Sequence, residues 1–348
     1  MRPLENATVC IGIIGALLGA TFLSGAAGAQ EKILNLYTAR HYATDEAFYT
    51  GYTKATGIKV NRIEGGEDAL FERIKAEGAN SPADVFLTVD VARLWRAEQA
   101  GIFAPVKSAP LSKRIPAQYR GTDNKWFGFS ARARVIAYDR NKVKPTDLAR
   151  YEDLANPKWK GEICVRPSSH PYNLSLIASM IAHLGEDKAT EWARGVTANL
   201  ARPPRGGDTD QLRAVAAGEC AIAISNHYYY VRLMRSPKAE DKAVVEKVGL
   251  IWPNQGDRGT HVNISGGGML RHAPHADAAV KFLEYLASDS AQTLFAKGNN
   301  EWPAVKGVDL ANPELEKLGE FKIDTLPVAK LGQAQAAAQR IADKAGWK

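Results

Sequence analysis

The 348-residue sequence predicts an α/β fold made of two strand–helix units. Two observations carry that prediction. From Ile33 onward, short apolar runs alternate with segments whose apolar residues recur at helical spacing, joined by brief turns. The alternation restarts after Trp126 with no Pro- or Ser-rich linker, so the chain is expected to pass between the units within its strands.

Residues 1–29 read as a secretory leader. Arg2 precedes an apolar run, and the small-residue stretch SGAAGA ends at Ala29, placing the cut before Gln30. A membrane-spanning helix needs about 20 apolar residues, and small residues interrupt this run. No Cys stands at the cut to carry a lipid. The expectation is a soluble, exported, periplasmic chain.

ILNLYTA (33–39) reads as the first buried strand. Asp45 and Glu46 open a helix with Phe48, Tyr52 and Ala55 on one face, and Gly57 closes it. IKVNRI (58–63) and DVFLTV (84–89) are the next strands. EDALFERIKAEG (67–78) and VARLWRAEQAG (91–101) are helices ended by glycines. Such alternation predicts a parallel sheet covered on both faces. In the second unit, ARVIAYD (133–139), GEICVR (161–166), AIAIS (221–225) and VGLIWP (248–253) read as strands. The Ala-rich tail AQAAAQRIADKAGW (334–347) reads as an amphipathic helix packed on one unit.

The 45 basic and 38 acidic residues leave a net charge of +7, but the signs are interspersed, which argues against a nucleic-acid partner. Cys10 leaves with the leader. Cys164 and Cys220 remain, either as a disulfide in an oxidising compartment or as two buried free thiols.

Open α/β sheets bind ligands at the carboxyl ends of their strands, and three strand-to-helix turns place tyrosines there: RHYATD (40–45), RPSSHPYN (166–173) and SNHYYY (225–230). In the last, Asn226 is placed to cap the helix, so Tyr228, Tyr229 and Tyr230 occupy its first turn. Successive helical residues are rotated by about 100°, so the three phenols cannot all enter one core. Either they pack with one wet edge, or Tyr228 and Tyr229 bring phenol oxygens to one point. Phenolate is a hard anionic donor suited to Fe³⁺, and a phenol titrating near about 10 binds by losing its proton to the metal. HAPH (272–275) reads as a solvated turn. SGGG (265–268) lacks the Lys-Ser/Thr of a phosphate loop, and no nucleophile elbow or Ser-His-Asp set is present. An enzyme is not expected.

Several runs resemble those of ferric-iron-binding periplasmic proteins of ABC transporters. They are RHYATD, SPADVFLTVDVARLWRAEQAGIF (81–103), YEDLANPKWKGEICVR (151–166), HVNISGGGM (261–269) and NNEWPAVKGV (299–308). The resemblance covers essentially the whole chain after the leader. It implies a type II periplasmic-binding-protein fold, two α/β lobes with a hinge and a ligand cleft. Residues 30–130 with 256–305 are expected as lobe 1, and 131–255 with 306–348 as lobe 2.

Carried over residue by residue, the resemblance places Tyr42, Tyr172, Tyr228 and Tyr229 on Fe³⁺, with His41 an occasional or neighbouring ligand. Another branch of the family uses a Glu after the DVF strand. Val89 stands in that neighbourhood here, which points to the tyrosine-rich branch and leaves a synergistic anion such as carbonate open. Four phenolates and Fe³⁺ leave one negative charge, and Arg132 and Arg232 resemble the nearby arginines that offset it. The implied partners are an inner-membrane permease and its ATPase, with the chain acting as a monomer. Two readings compete: a binding protein of the same fold for an oxyanion or cationic metabolite, and a secreted enzyme.

Overall fold

The computed structural model describes residues 32–40 and 42–348; the expected leader and His41 lie outside the described residues. Strand β1 (Ile33–Thr38) leads to helix α1 (Glu46–Thr56), which ends at Gly57 with φ 70°, a left-handed conformation that glycine adopts without strain. Then follow β2 (Lys59–Glu64), α2 (Glu67–Glu77), β3 (Val85–Val89), α3 (Val91–Gln99) and the short α4 (Ala109–Arg114). The parallel pairing expected for this region holds, with β1 between β2 and β3.

Next comes β4 (Phe127–Asp139), buried along all 13 residues. It is followed by β5 (Ile163–Cys164), α5 (Pro171–Leu184), α6 (Glu186–Ala198), α7 (Asp208–Ala216), β6 (Ile222–Asn226), α8 (His227–Met234), α9 (Ala239–Lys247) and β7 (Val248–Ile251). The chain continues through β8 (Val262–Met269), α10 (Ala276–Leu286), α11 (Asp289–Asn299), β9 (Trp302–Pro303), α12 (Pro313–Glu316), α13 (Ala329–Gln333) and α14 (Gln335–Ala345). The strand order is β2-β1-β3-β8-β4-β6-β5, with β7 and β9 also paired to β4.

The sheet is mixed, which corrects the all-parallel expectation. β8 runs antiparallel to both β3 and β4, and β6 and β7 run antiparallel to β4. The cause is the pair of long return strands, β4 and β8, which local strand–helix alternation does not reveal. β4 pairs with β8 over Phe127–Ala133 and with β6 from Arg134 onward, so it passes between two groups of strands within one element. Its first half escaped the sequence reading because Ser130 and Arg132 are buried polar residues that interrupt the apolar run.

The glycines of SGGG serve sheet packing. A Cβ on Gly266, Gly267 or Gly268 would collide with the carbonyl oxygens of Phe127, Phe86 and Lys125 respectively, so only glycine lets the three strands approach. Cys164 and Cys220 form a disulfide with Cα atoms 5.9 Å apart, joining β5 to a residue two positions before β6. The tail is helical as expected, and α14 lies against α5 and α6 while α13 bridges α3 and α5.

Candidate functional site

Two helix starts and one turn build the site. At α5, His170 occupies the cap position with its Nδ1 accepting from the Tyr172 N–H. Pro171 sits at the first helical position, where its missing N–H costs nothing. Tyr172 therefore lies in the first turn. At α8, Asn226 takes the extended cap conformation, but its side chain makes no capping bond; its Oδ1 accepts from Arg134 instead.

The three consecutive tyrosines separate as helical rotation requires. Tyr228 is 1% exposed and its hydroxyl lies 3.0 Å from that of Tyr172. Tyr229 is half-buried, its ring 4.2 Å from that of Tyr228, with the Arg232 guanidinium 5.3 Å from its centre. Tyr230 turns into the core around the disulfide, and its hydroxyl donates to the Val248 carbonyl at 2.8 Å. Tyr42 follows β1 and is half-buried, with Arg40 5.2 Å from its ring centre. A cavity of about 460 Å³ opens among Tyr42, Tyr172 and Tyr229, with His170, Arg93 and Arg232 on its walls.

Burial dominates the protonation of the Tyr42, Tyr172 and Tyr228 phenols. Burial raises the pKa of Tyr228 well above the ordinary phenol value, and Tyr172, Tyr229 and Tyr42 push it further. Burial likewise raises Tyr172, with Arg132 pulling the other way and Tyr229 and Tyr42 adding to the rise. Tyr42 is raised by burial, opposed by Arg132 and Arg40. These three hydroxyls are neutral near pH 7 until a cation displaces their protons. Burial, then Arg166 and Arg134, push His170 down to about 3, so its ring is a neutral acceptor.

A buried ionic floor supports the Tyr42 and Tyr228 rings. Glu301, 1% exposed, accepts from Arg132 Nε at 2.9 Å, Ser130 Oγ at 2.5 Å and Arg40 Nη1 at 3.4 Å. Arg40 also forks onto Asp45 through two bonds of 2.9 Å. Arg132 is thus buried as a partner of Glu301, and its guanidinium lies 5.8 Å from the Tyr228 ring centre. Its charge is already matched. A surplus appears elsewhere: Arg134 and Arg166 share the single carboxylate of Asp208 and both lie over the Tyr172 ring.

Sequence reasoning missed Glu301, Arg40, Arg134 and Asp208. A lone Glu in NNEWP and an Asp at the start of a helix resemble ordinary surface residues, and only burial distinguishes them. Among the described residues no group of three His, Cys, Asp or Glu is placed to hold a metal. The donors that converge are phenol oxygens, chemistry suited to a hard trivalent cation rather than Zn²⁺ or Cu⁺. His275 of the HAPH turn bonds Asp84 at 3.0 Å at the head of α10, consistent with a structural turn.

The chain is 52% identical over 321 residues to iron uptake protein A1 of Synechocystis sp., covering 92% of this chain and 89% of the relative. A solved Trichodesmium IdiA (FutA) in complex with iron and citrate ligands shares 55% identity with a TM-score of 0.88, over 91% of this chain and 100% of that one. Apo FutA2 from Synechocystis shares 51% identity with a TM-score of 0.87, over 92% and 100%. These neighbours carry the type II binding-protein architecture expected from the sequence. The family model for bacterial extracellular solute-binding proteins matches residues 47–323, and the chain belongs to that family.

Proposed function

We propose that this protein is the periplasmic substrate-binding component of an ABC importer, capturing Fe³⁺ through tyrosine phenolates and delivering it to an inner-membrane permease and its ATPase. The observation that carries the proposal is the convergence of tyrosines from three separate turns: Tyr42, Tyr172 and Tyr229 line one cleft, and the Tyr228 hydroxyl lies 3.0 Å from that of Tyr172. Iron-binding and iron-uptake names among relatives at high coverage support the same cargo. His41 stands next to Tyr42 in sequence and is, in this reading, an occasional or neighbouring further ligand.

Residues 30–130 with 256–305 form lobe 1 in this reading, and 131–255 with 306–348 form lobe 2. The change of partner along β4 between Ala133 and Arg134 supports a crossing there. Tyr42 then belongs to lobe 1 and the other three tyrosines to lobe 2, so iron is captured on lobe 2 and lobe 1 closes over it. Room beside Tyr229, walled by Arg232 and by Arg93 with its partner Glu67, suits a small synergistic anion such as carbonate. The citrate held with iron by the Trichodesmium relative supports an anion in that role. The protein acts as a carrier, not an enzyme.

The test is a titration of the purified, iron-stripped protein with ferric nitrilotriacetate. A visible phenolate-to-Fe³⁺ charge-transfer band that saturates at one iron per chain is expected. Colourless protein with no retained iron overturns the proposal and favours another small ligand in the same cleft.

A further inference from the structure

Asp208 stands at the first position of α7, where an acidic side chain commonly sits in solvent and favours the helix dipole. Here it is fully buried. Its Oδ2 accepts from Arg134 Nη1 at 2.5 Å and from the Asn226 backbone N–H at 2.8 Å, and its Oδ1 accepts from Arg166 Nη1 at 3.2 Å. Arg134 is equally enclosed. Its Nη1 also donates to Asn226 Oδ1 at 3.1 Å, and its Nη2 donates to Asn173 Oδ1 at 2.6 Å. Asn173 in turn donates to the Arg166 carbonyl at 2.8 Å.

The chain positions make this arrangement specific. Asn173 directly follows Tyr172 at the start of α5, and Asn226 lies two residues before Tyr228 at the start of α8. One planar guanidinium therefore holds both helix starts at once, and one carboxylate orients that guanidinium. The fork geometry of Arg suits it to this double grip, and an ammonium would satisfy only one side.

We infer that Asp208 and Arg134 are positioning residues that set the separation of the Tyr172 and Tyr228 hydroxyls, and so the geometry offered to the bound cation. The inference rests on the Fe³⁺ reading above. It also assigns a role to the unmatched charge: two guanidiniums against one carboxylate leave one positive charge over Tyr172, opposing the one negative charge of Fe³⁺ with four phenolates. Partners behind a metal's own ligands fix their orientation, and losing such a partner typically weakens binding about 10- to 100-fold.

The experiment uses the full mature protein loaded from ferric nitrilotriacetate, with affinity measured by chelator competition, the visible band by absorbance and folding by thermal melting of the iron-free form. Asp208→Asn and Arg134→Lys are expected to weaken iron binding about 10- to 100-fold and to move the band in the direction that Tyr172→Phe moves it. Asp208→Asn combined with Tyr172→Phe should lose less than the two single losses combined, because the hydroxyl separation that Asp208 sets no longer matters once the Tyr172 hydroxyl is gone. Asp241→Asn, which breaks the Arg213 pair at the far end of the same helix, should leave the band unchanged. If Asp208→Asn fails to fold, Arg134→Lys, which preserves the charge facing Asp208, decides the matter. A wild-type band and affinity in the folded variants, or losses that simply add to that of Tyr172→Phe, overturn the clamp alone. Absence of any band in the unmutated protein overturns the iron reading itself, and the clamp with it.

Discussion

The two sides of the cleft are built differently. Tyr172 and Tyr228 are nearly enclosed, their hydroxyls 3.0 Å apart, on helices whose preceding strands are joined by a disulfide. Tyr42 is half-buried on a single turn after β1, anchored through Arg40 and its contacts with Asp45 and Glu301. One side is a preassembled wall and the other is a single residue on an ionic floor. A wall of this kind reduces the ordering that binding must impose. If iron is held as proposed, the difference makes the wall the main source of affinity and Tyr42 the residue that finishes the site.

Breaking the wall should have the largest effect. Tyr228→Phe with Tyr229→Phe is expected to abolish the visible band and lower iron affinity by more than the roughly 100-fold typical of losing an outer partner, at unchanged melting temperature of the iron-free protein. Tyr42→Phe should retain measurable affinity. Equal losses on the two sides, measured by chelator competition, would remove the asymmetry.

Protons sharpen the same contrast. The phenols of Tyr172 and Tyr228 are raised above the ordinary value by burial first and then by neighbouring phenols, so iron held there as proposed must displace their protons. Affinity should fall as pH drops, by up to about tenfold per pH unit for each phenol that ionises on binding. Titrations at several pH values should show a shallower slope for Tyr172→Phe, which has one proton fewer to release.

The disulfide under the wall spans 56 residues of sequence, for which loop closure gives on the order of 4 kcal/mol. Cys164→Ser with Cys220→Ser should lower stability in urea by about that amount, while protein that remains folded keeps its band. A band lost together with the bond would mean that the disulfide also holds the wall's geometry.

Glu301 tests the floor beneath Tyr42. Burial acts to raise its pKa, but Arg132 and Arg40 outweigh burial and hold it below the ordinary carboxylate value. Its contribution to stability is therefore complete above the unfolded value of about 4.3 and is lost as pH falls through the lower folded value. Glu301→Gln should cost about 3 kcal/mol at neutral pH, since it leaves two buried guanidiniums short of a partner. The difference from the unmutated protein should shrink in acid-range melting curves.

Tyr230→Phe should have the smallest effect. Its hydroxyl bonds the Val248 carbonyl within the core, so about 1 kcal/mol of stability is at stake and the band should stay in place. A bleached Tyr230→Phe protein would show that the division of the tyrosine triple is out of register.

Local chemistry alone determined most of the elements and the placement of the tyrosines. Helix stops at Gly57 and the strand-to-helix turns at 40–45, 166–173 and 225–230 are short-range features, legible because backbone sterics and helical periodicity act over a few residues. Rotation by about 100° per residue was enough to separate Tyr230 from its neighbours. Tertiary structure alone decided the rest. The antiparallel return of β8, the close approach demanded by its glycines, the pairing of Arg132 with Glu301 and the bridge from Arg134 to both helix starts join residues 39 to 169 positions apart or pack strands from distant parts of the chain. Whether a charged side chain is solvated or buried against an opposite charge depends on what the rest of the chain brings beside it. No pattern within a short stretch of sequence contains that information.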